Sequence, residues 1–338
     1  MTSDWRHCGP NSLIIQAVRK DTSHLFSRYH GAVELRQLEA LVEIEERGSF
    51  SAAAIALGTV QSNVSARIAR LERELDATLV DRSTGRLTHE GASVAARGWR
   101  ILAEVDAAVA DVVAANSDVA GTVGIGVIGT TGRWLVPQLL TSLRRDHPRI
   151  NLRIVEGTST TLEPQLSTGQ LDLAVVTLPL SAESLSTTPL FDEDLVLVVP
   201  TGHPLTRAPA PIPFATLGTM DLLLPLSGTA LRDELDEAAA RAGVALRPLI
   251  ELDGLRTLAS LVFDGYGPAV LPATAVSRHL RDRFAVIAID GLGRRHVGIA
   301  VRRHGLPSAP SRSVRTLLER LVADGPLPQG LHPTERVR

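Results

Sequence analysis

Gln61, Ser62, Asn63 and Ser65, with Arg67 and Arg73 close behind, are short polar side chains and guanidinium groups at steps of one to six residues. Amides and hydroxyls in such an array supply donors and acceptors that match base edges, and arginines match phosphates. Ser49 upstream and Arg82 and Arg86 downstream extend the same chemistry. It is non-covalent recognition of a patterned polyanion, so the elements that carry these residues must present them on one exposed surface.

The flanking sequence predicts those elements. Ser51 is a good N-cap for the run of helix formers at 52–57, and Gly58 stops it. A second helix starts between Thr59 and Gln61 and runs to about Leu75; Val64, Ile68, Leu71 and Leu75 give it one apolar face. The opposite face carries Ser62, Ala66, Ala69 and Arg73, small or basic residues that let a backbone approach a partner surface. Helix, glycine turn and polar-faced helix make a helix-turn-helix pattern.

With a preceding helix at 35–46, this stretch resembles the winged helix-turn-helix of LysR-type transcriptional regulators. The matching residues are Leu35, Arg36, Gln37 and Leu38, the run from Gly48 to Ala54, Gln61, Ser62, Val64, Ser65, Leu71, Glu72, Leu75, Leu79, Arg82, Arg86, Leu87 and Thr88. The chain departs from the family at Val60, where Ser or Thr usually caps the recognition helix, so the cap lies at Val60 or moves to Thr59. It also has Ala66 in place of a frequent Arg and Val80 in place of a usual wing Phe. The resemblance implies major-groove docking of the 60–73 helix, with Arg82 and Arg86 at the DNA backbone or minor groove.

The formal charge is −2, so nucleic-acid affinity must come from a local patch. Arg67, Arg70, Arg73, Arg82, Arg86, Arg97 and Arg100 form one, diluted by Glu72, Glu74, Asp76, Asp81 and Glu90. Modest attraction per subunit favours an oligomer. Thr88, Gly91, Ala95, Gly98, Leu102, Val105, Val109 and Val112 repeat at three- and four-residue steps, a heptad seam on a linker helix at 92–119. In the family this helix dimerises, implying a homodimer or homotetramer on double-stranded promoter DNA with an inverted repeat.

From 120 to 324 strands alternate with helices, which argues for α/β architecture. The phrases Leu171–Val175, Leu195–Pro200, His203–Leu205, Ser227–Arg232 and Gly265–Pro272 resemble the family's effector-binding domain, which is similar to periplasmic binding proteins. The expected fold is therefore α+α/β: a winged helix-turn-helix at 33–91, a linker helix, and a two-lobed effector domain. Lobe I would take 120–199 and 292–324, lobe II 200–291, and 325–338 would be a tail. Residues 1–32 have no clear period and read as a disordered extension, with translation starting at Val33 as one explanation.

Gly124, Gly126 and Gly129 match a dinucleotide fingerprint, but Val123, Ile125 and Val127 alternate through them, placing the glycines within a strand. Thr130 and Thr131, after that strand and before a helix, are better candidates, because a helix N-terminus offers unpaired N–H groups. By resemblance the effector site also takes Thr158, Pro225 and Ser227. Two helix ends facing one cleft suit a small anion, a carboxylate first. Binding there would shift the placement of the DNA heads and contact with RNA polymerase, as the resemblance implies.

The only cysteine is Cys8, which excludes an intramolecular disulfide and a cysteine metal cluster. The ten histidines have no paired ligand spacing, so no metal and no cofactor are expected. No G-x-S-x-G turn supports an enzyme, and no apolar run is long enough to span a membrane. A soluble, cytoplasmic regulator is the expectation; a solute-binding protein would lack the DNA-reading module.

Overall fold

The computed structural model describes residues 33–116, 118–276 and 282–334. The extension expected at 1–32 lies outside the described residues. The chain forms two units, one up to Leu102 and one from Ala103 onward.

The first unit opens with α1 (Leu35–Arg47), capped by Glu34 through a reciprocal bond with Gln37. Buried Gln37 also donates to Glu74 at 2.9 Å. Next come α2 (Phe50–Ala56) and α3 (Gln61–Leu75). The cap of α2 is Ser49, whose hydroxyl accepts the Ala52 N–H at 3.2 Å; Ser51, expected as the cap, instead lies in the helix and donates to Gln61. Val60 caps α3 by position without a side-chain bond, and Thr59 accepts from Asn63 instead. Val64, Ile68 and Leu71 are fully buried with Leu41, Ile44, Leu79 and Val80, so the predicted apolar face is the core face.

A short wing follows, closed by the Val80–Leu87 bridge. Glu72 of α3 fixes its entry: one carboxylate oxygen accepts the N–H groups of Leu79 (2.9 Å) and Val80 (3.2 Å), the other accepts from Arg82 (2.8 Å). Burial raises the Glu72 pKa, but the bonds from Leu79, Arg82 and Val80 outweigh it and hold the carboxyl below its ordinary range. At the wing tip Asp81 accepts from the Ser83 and Thr84 hydroxyls and the Ser83 N–H.

The helix α4 (His89–Asn116) belongs to both units. The first part of the expected seam does not face a second chain. Ala95 is buried in the winged-helix core, and a Cβ on Gly91 would stand 1.9 Å from the Leu79 carbonyl oxygen. Small residues there serve close packing within the unit. Further along, Val105, Val109 and Val112 are exposed by 40%, 60% and 64%.

The second unit contains β1 (Gly121–Ile128), α5 (Gly129–Asp146), β2 (Ile150–Gly157), α6 (Ser159–Thr168), β3 (Leu173–Thr177) and β4 (Leu185–Pro200). After β5 (Ile212–Pro213) come β6 (Asp221–Pro225), α7 (Ala230–Ala242), β7 (Arg247–Leu252), α8 (Leu255–Phe263) and β8 (Ala269–Pro272). The chain closes with β9 (Phe284–Asp290), β10 (Arg294–Arg302), α9 (Ala309–Asp324) and β11 (Leu331–Pro333). The main sheet runs β2-β1-β3-β10-β4-β9-β5, with β8 and β11 also on β4, and β6 pairs β7 separately. Gly124 and Gly126 lie inside β1, as their alternation predicts.

Strand β4 is sixteen residues long and starts ten residues before the stretch expected at 195–199. Its first part pairs with β10 and packs Leu185, Leu190 and Phe191 into one core. Its end pairs with β8 and β9; Leu195, Leu197 and Val199 enter a second core, and Val196 and Val198 the layer on the other face. Residues 195–199, expected in lobe I, thus pack with lobe II, and the crossing expected near 200 falls inside the strand. The tail expected at 325–338 supplies β11, which pairs with β4 at 191–193. Among the described residues no helix is long and apolar enough to cross a membrane.

Two outcomes follow from the first unit. Gly91→Ala should destabilise it by about 3 kcal/mol, because the new Cβ meets backbone that cannot swing away, whereas Gly98→Ala, 3.2 Å from a Val42 methyl, should cost about 1 kcal/mol. Urea unfolding read by Trp99 fluorescence, with Trp5 and Trp134 replaced by Phe, measures both. The depressed Glu72 pKa stabilises the fold above the unfolded carboxyl pKa, and that stability is lost as pH falls through the folded value. The unfolding midpoint should drop from about pH 5 downward, and Glu72→Gln should lower it at neutral pH and flatten the profile.

Candidate functional site

Each unit presents one site. In the first, Gln61, Ser62 and Asn63 are exposed on the opening turn of α3, with Ala66 and Arg73 on the exposed side further along and Ser65 and Arg67 half-buried. Packing Val64, Ile68 and Leu71 inward dictates this, since residues three and four apart share a helix face. Several predicted contacts are already engaged. Ser49 is the α2 cap, Asn63 donates to Thr59 at 2.9 Å, and Arg73 donates to the Ala69 carbonyl at 3.2 Å.

Arg82 is held from three sides. It donates to Glu72 and to the Ser65 hydroxyl (3.2 Å) and lies over the Phe50 ring, 4.9 Å from its centre. Its charge is thus presented by a rigid frame that joins wing, α2 and α3. Arg70, counted in the basic patch, pairs with both Glu74 and Glu34, and those partners, the Glu74 hydrogen bond foremost, raise its pKa. Three of the five acidic residues that dilute the patch are structural: Glu72 and Glu74 brace α3, and Asp81 shapes the wing turn. Arg86 is exposed at the wing.

In the second unit a cavity of about 370 Å³ lies between the two cores. Four helices begin at it: the N-cap residues of α5 (Ile128), α6 (Thr158), α7 (Thr229) and α8 (Gly254) all line its wall. Of these only Thr158 caps with its side chain, accepting from Thr161; the Thr229 hydroxyl donates to the Leu226 carbonyl instead. Helix N-termini carry unpaired N–H groups and a partial positive charge, so four at one cavity favour an anion.

Of the residues expected at the effector site, Thr130, Thr158 and Pro225 line this cavity. Thr131 and Ser227 do not. Helix α5 starts directly at Gly129, so Thr130 and Thr131 sit in its first turn and not before it. Thr131 turns into the interior, and its hydroxyl has no hydrogen-bond partner among the described residues. Ser227 is exposed two residues ahead of the cap, Thr229.

The cavity is also lined by Thr229, which the sequence reading placed at the helix start but not in the pocket, and by residues it missed: Glu156, Arg295 and the start of α8 from Asp253 to Thr257, Arg256 included. Arg295 is 4% exposed and pairs with Glu193, which is wholly buried. It also donates to the Thr130 hydroxyl at 2.9 Å. Glu193 further accepts the N–H (2.8 Å) and hydroxyl (2.6 Å) of Thr274. The Nε of Arg295 is buried without a partner among the described residues, a state that costs about 1–3 kcal/mol. The signal for Arg295 was register. Asp192, Glu193 and Asp194 stand opposite His296, Arg295 and Arg294 in the antiparallel ladder; the two arginines form ion pairs with their partners, and His296 is hydrogen-bonded to Asp192 at 2.7 Å. No group of three or more metal-ligating side chains occurs among the described residues.

Residues 35–92 match the bacterial regulatory helix-turn-helix protein, lysR family, and residues 116–323 match the LysR substrate binding domain. A probable hydrogen peroxide-inducible genes activator of Streptomyces viridosporus is 33% identical over 303 residues, 87% of this chain and 96% of that protein. The DNA-binding transcriptional dual regulator OxyR of Escherichia coli K12 is 29% identical over 286 residues, 83% of this chain and 92% of that one. A full-length OxyR of Pseudomonas aeruginosa with a cysteine-to-aspartate substitution superposes with a TM-score of 0.72 at 27% identity, covering 90% of this chain and 99% of its own. A DNA-reading unit and a two-lobed effector unit, matched in order along most of the chain, place this protein in the LysR family of DNA-binding transcriptional regulators.

Proposed function

We propose that this regulator is a cytoplasmic homodimer or homotetramer that binds inverted repeats in promoter DNA and responds to a small anion, a carboxylate first, held in the cavity of its second unit. The observation that carries the effector reading is the meeting of four helix N-termini with the buried, incompletely bonded Arg295. In this reading α3 enters the major groove. Gln61, Ser62, Asn63 and Ser65 face base edges, Arg67 and Arg73 face phosphates, and Arg82 and Arg86 meet the backbone or minor groove. Arg82 arrives there already fixed by Glu72 and Ser65. The effector acts by binding the two lobe arrangements unequally, which changes the DNA-bound form and its contact with RNA polymerase.

The relatives are described as hydrogen peroxide-inducible activators. Here the sole cysteine, Cys8, lies ahead of both matched regions, and the stretch that lines the cavity has no thiol. We therefore assign the signal to a reversibly bound ligand, with no turnover, and not to oxidation of a thiol beside the cavity.

Footprinting across the DNA upstream of its own gene, over a salt series, tests the first part. A protected inverted repeat is expected. Gln61→Ala should cost about 1–3 kcal/mol and relax base preference, and Arg86→Ala should weaken all sequences alike and flatten the salt slope by about one. No protection there and no enriched fragment from a random genomic pool would sink the DNA-reading assignment. For assembly, the exposed valines of α4 are the proposed seam. Val109→Asp with Val112→Asp should bring the sedimenting mass to that of a single 36.1 kDa chain and weaken inverted-repeat binding at least tenfold by lost avidity.

A further inference from the structure

One ion pair borders both the cavity and a neighbouring hollow. Glu156, the penultimate residue of β2, forms an ion pair with Arg256 in the first turn of α8, one hundred residues away on the facing lobe. On one side of the pair lies the cavity already described. On the other a chamber of about 660 Å³ opens, lined by Arg133, Ser260 and Phe263, and both spaces share Thr130, Glu156, Arg256 and Thr257. The pair therefore borders both spaces.

It also lies over the start of α5. A Cβ built on Gly129 would come within 2.8 Å of a Glu156 carboxylate oxygen and 3.0 Å of the Arg256 Cδ. A side chain at this position would make the Glu156 carboxylate and the Arg256 stem shift from that helix end. A carboxylate at this point meets a guanidinium and the positive end of a helix, which is what the cavity offers an anionic ligand.

Resting on the reading of this cavity as the effector site, we infer that Glu156 is a built-in stand-in for the effector's anionic group. It occupies Arg256 when no ligand is bound, and an incoming carboxylate displaces it. Arg256 then serves as the charge-selecting residue, and the Glu156–Arg256 pair sets the threshold concentration. The exposure of the two side chains fits this role, at 45% for Glu156 and 65% for Arg256. A solvated pair of this kind is weak enough to exchange partners, whereas the buried Arg295–Glu193 pair is not.

A double-mutant cycle on the full chain tests the inference, with succinate and inorganic phosphate as charged probes and succinamide as a neutral one. Apparent Kd is read from ligand-dependent Tm. Glu156→Gln should tighten succinate and phosphate about two- to fivefold, the range that an exposed ion pair of this strength can withhold. The same substitution should change them by less than about 1.5-fold when Arg256 is already Gln, and should leave succinamide unchanged. Arg256→Gln alone should weaken both anions. Equal tightening in both backgrounds would mean a general charge effect, and it would overturn the stand-in while leaving the cavity as an anion site. If neither anion shifts Tm in the wild type or in any variant, the cavity reading and the stand-in fall together.

Discussion

A wholly buried carboxylate conditions the second unit. Glu193 sits where β4 leaves one core for the next, and burying its charge is tolerable only because Arg295, the Thr274 N–H and the Thr274 hydroxyl all point at it. Those partners come from different places: Arg295 from the strand opposite, Thr274 from the turn after β8. Thr130, at the head of α5, is tied in through Arg295. The arrangement of both lobes about the crossing is therefore written into one buried polar cluster, in which only the Arg295 Nε is left over among the described residues. The cavity floor inherits its positive charge from a group that the fold already requires.

The first unit works under the opposite constraint, a near-neutral chain that must still face a polyanion. Its solution is to spend acidic residues inside the fold. Glu72 terminates the backbone of the wing entry, Glu74 receives Gln37 and Arg70, and Asp81 folds the wing tip. Of the acids counted against the patch, Asp76 and Glu90 stay exposed. The remaining guanidinium groups differ in freedom, from the braced Arg82 to the exposed Arg86, so contacts made through them carry different entropy costs.

Much of this was legible from residues alone. The helix-turn-helix was readable because Val64, Ile68 and Leu71 keep helical spacing and Gly58 punctuates the turn. Most strands of the second unit were readable because they are short apolar runs. The first ten residues of β4 were not, since Pro189 and the Asp192–Glu193–Asp194 run look like a loop until the facing Arg294–Arg295–His296 run is known to lie opposite. Pairing across a hundred residues leaves no local trace. The cap of α2 was misread because Ser49 and Ser51 are chemically equal, and only backbone geometry separates them. In the cavity, resemblance pointed to Thr130, Thr158 and Pro225, but α5 starts earlier than read, so Thr131 falls in its first turn and faces inward, while Ser227 stays exposed ahead of an α7 that begins where it was expected. The charged pair Glu156 and Arg256 sits on elements whose sequences show only ordinary caps and ends.

The long strand β4 has a consequence for inheritance. Its residues contribute to the first core, to the second, and to the layer behind the second, with no loop between the contributions. A break anywhere within it would leave two cores each lacking a strand and an open sheet edge on both pieces. The lobes are therefore not modules that recombination can trade separately. A new ligand preference has to arise by substitution within an intact pair of lobes, while the DNA-reading unit, which keeps a core of its own, can be exchanged whole.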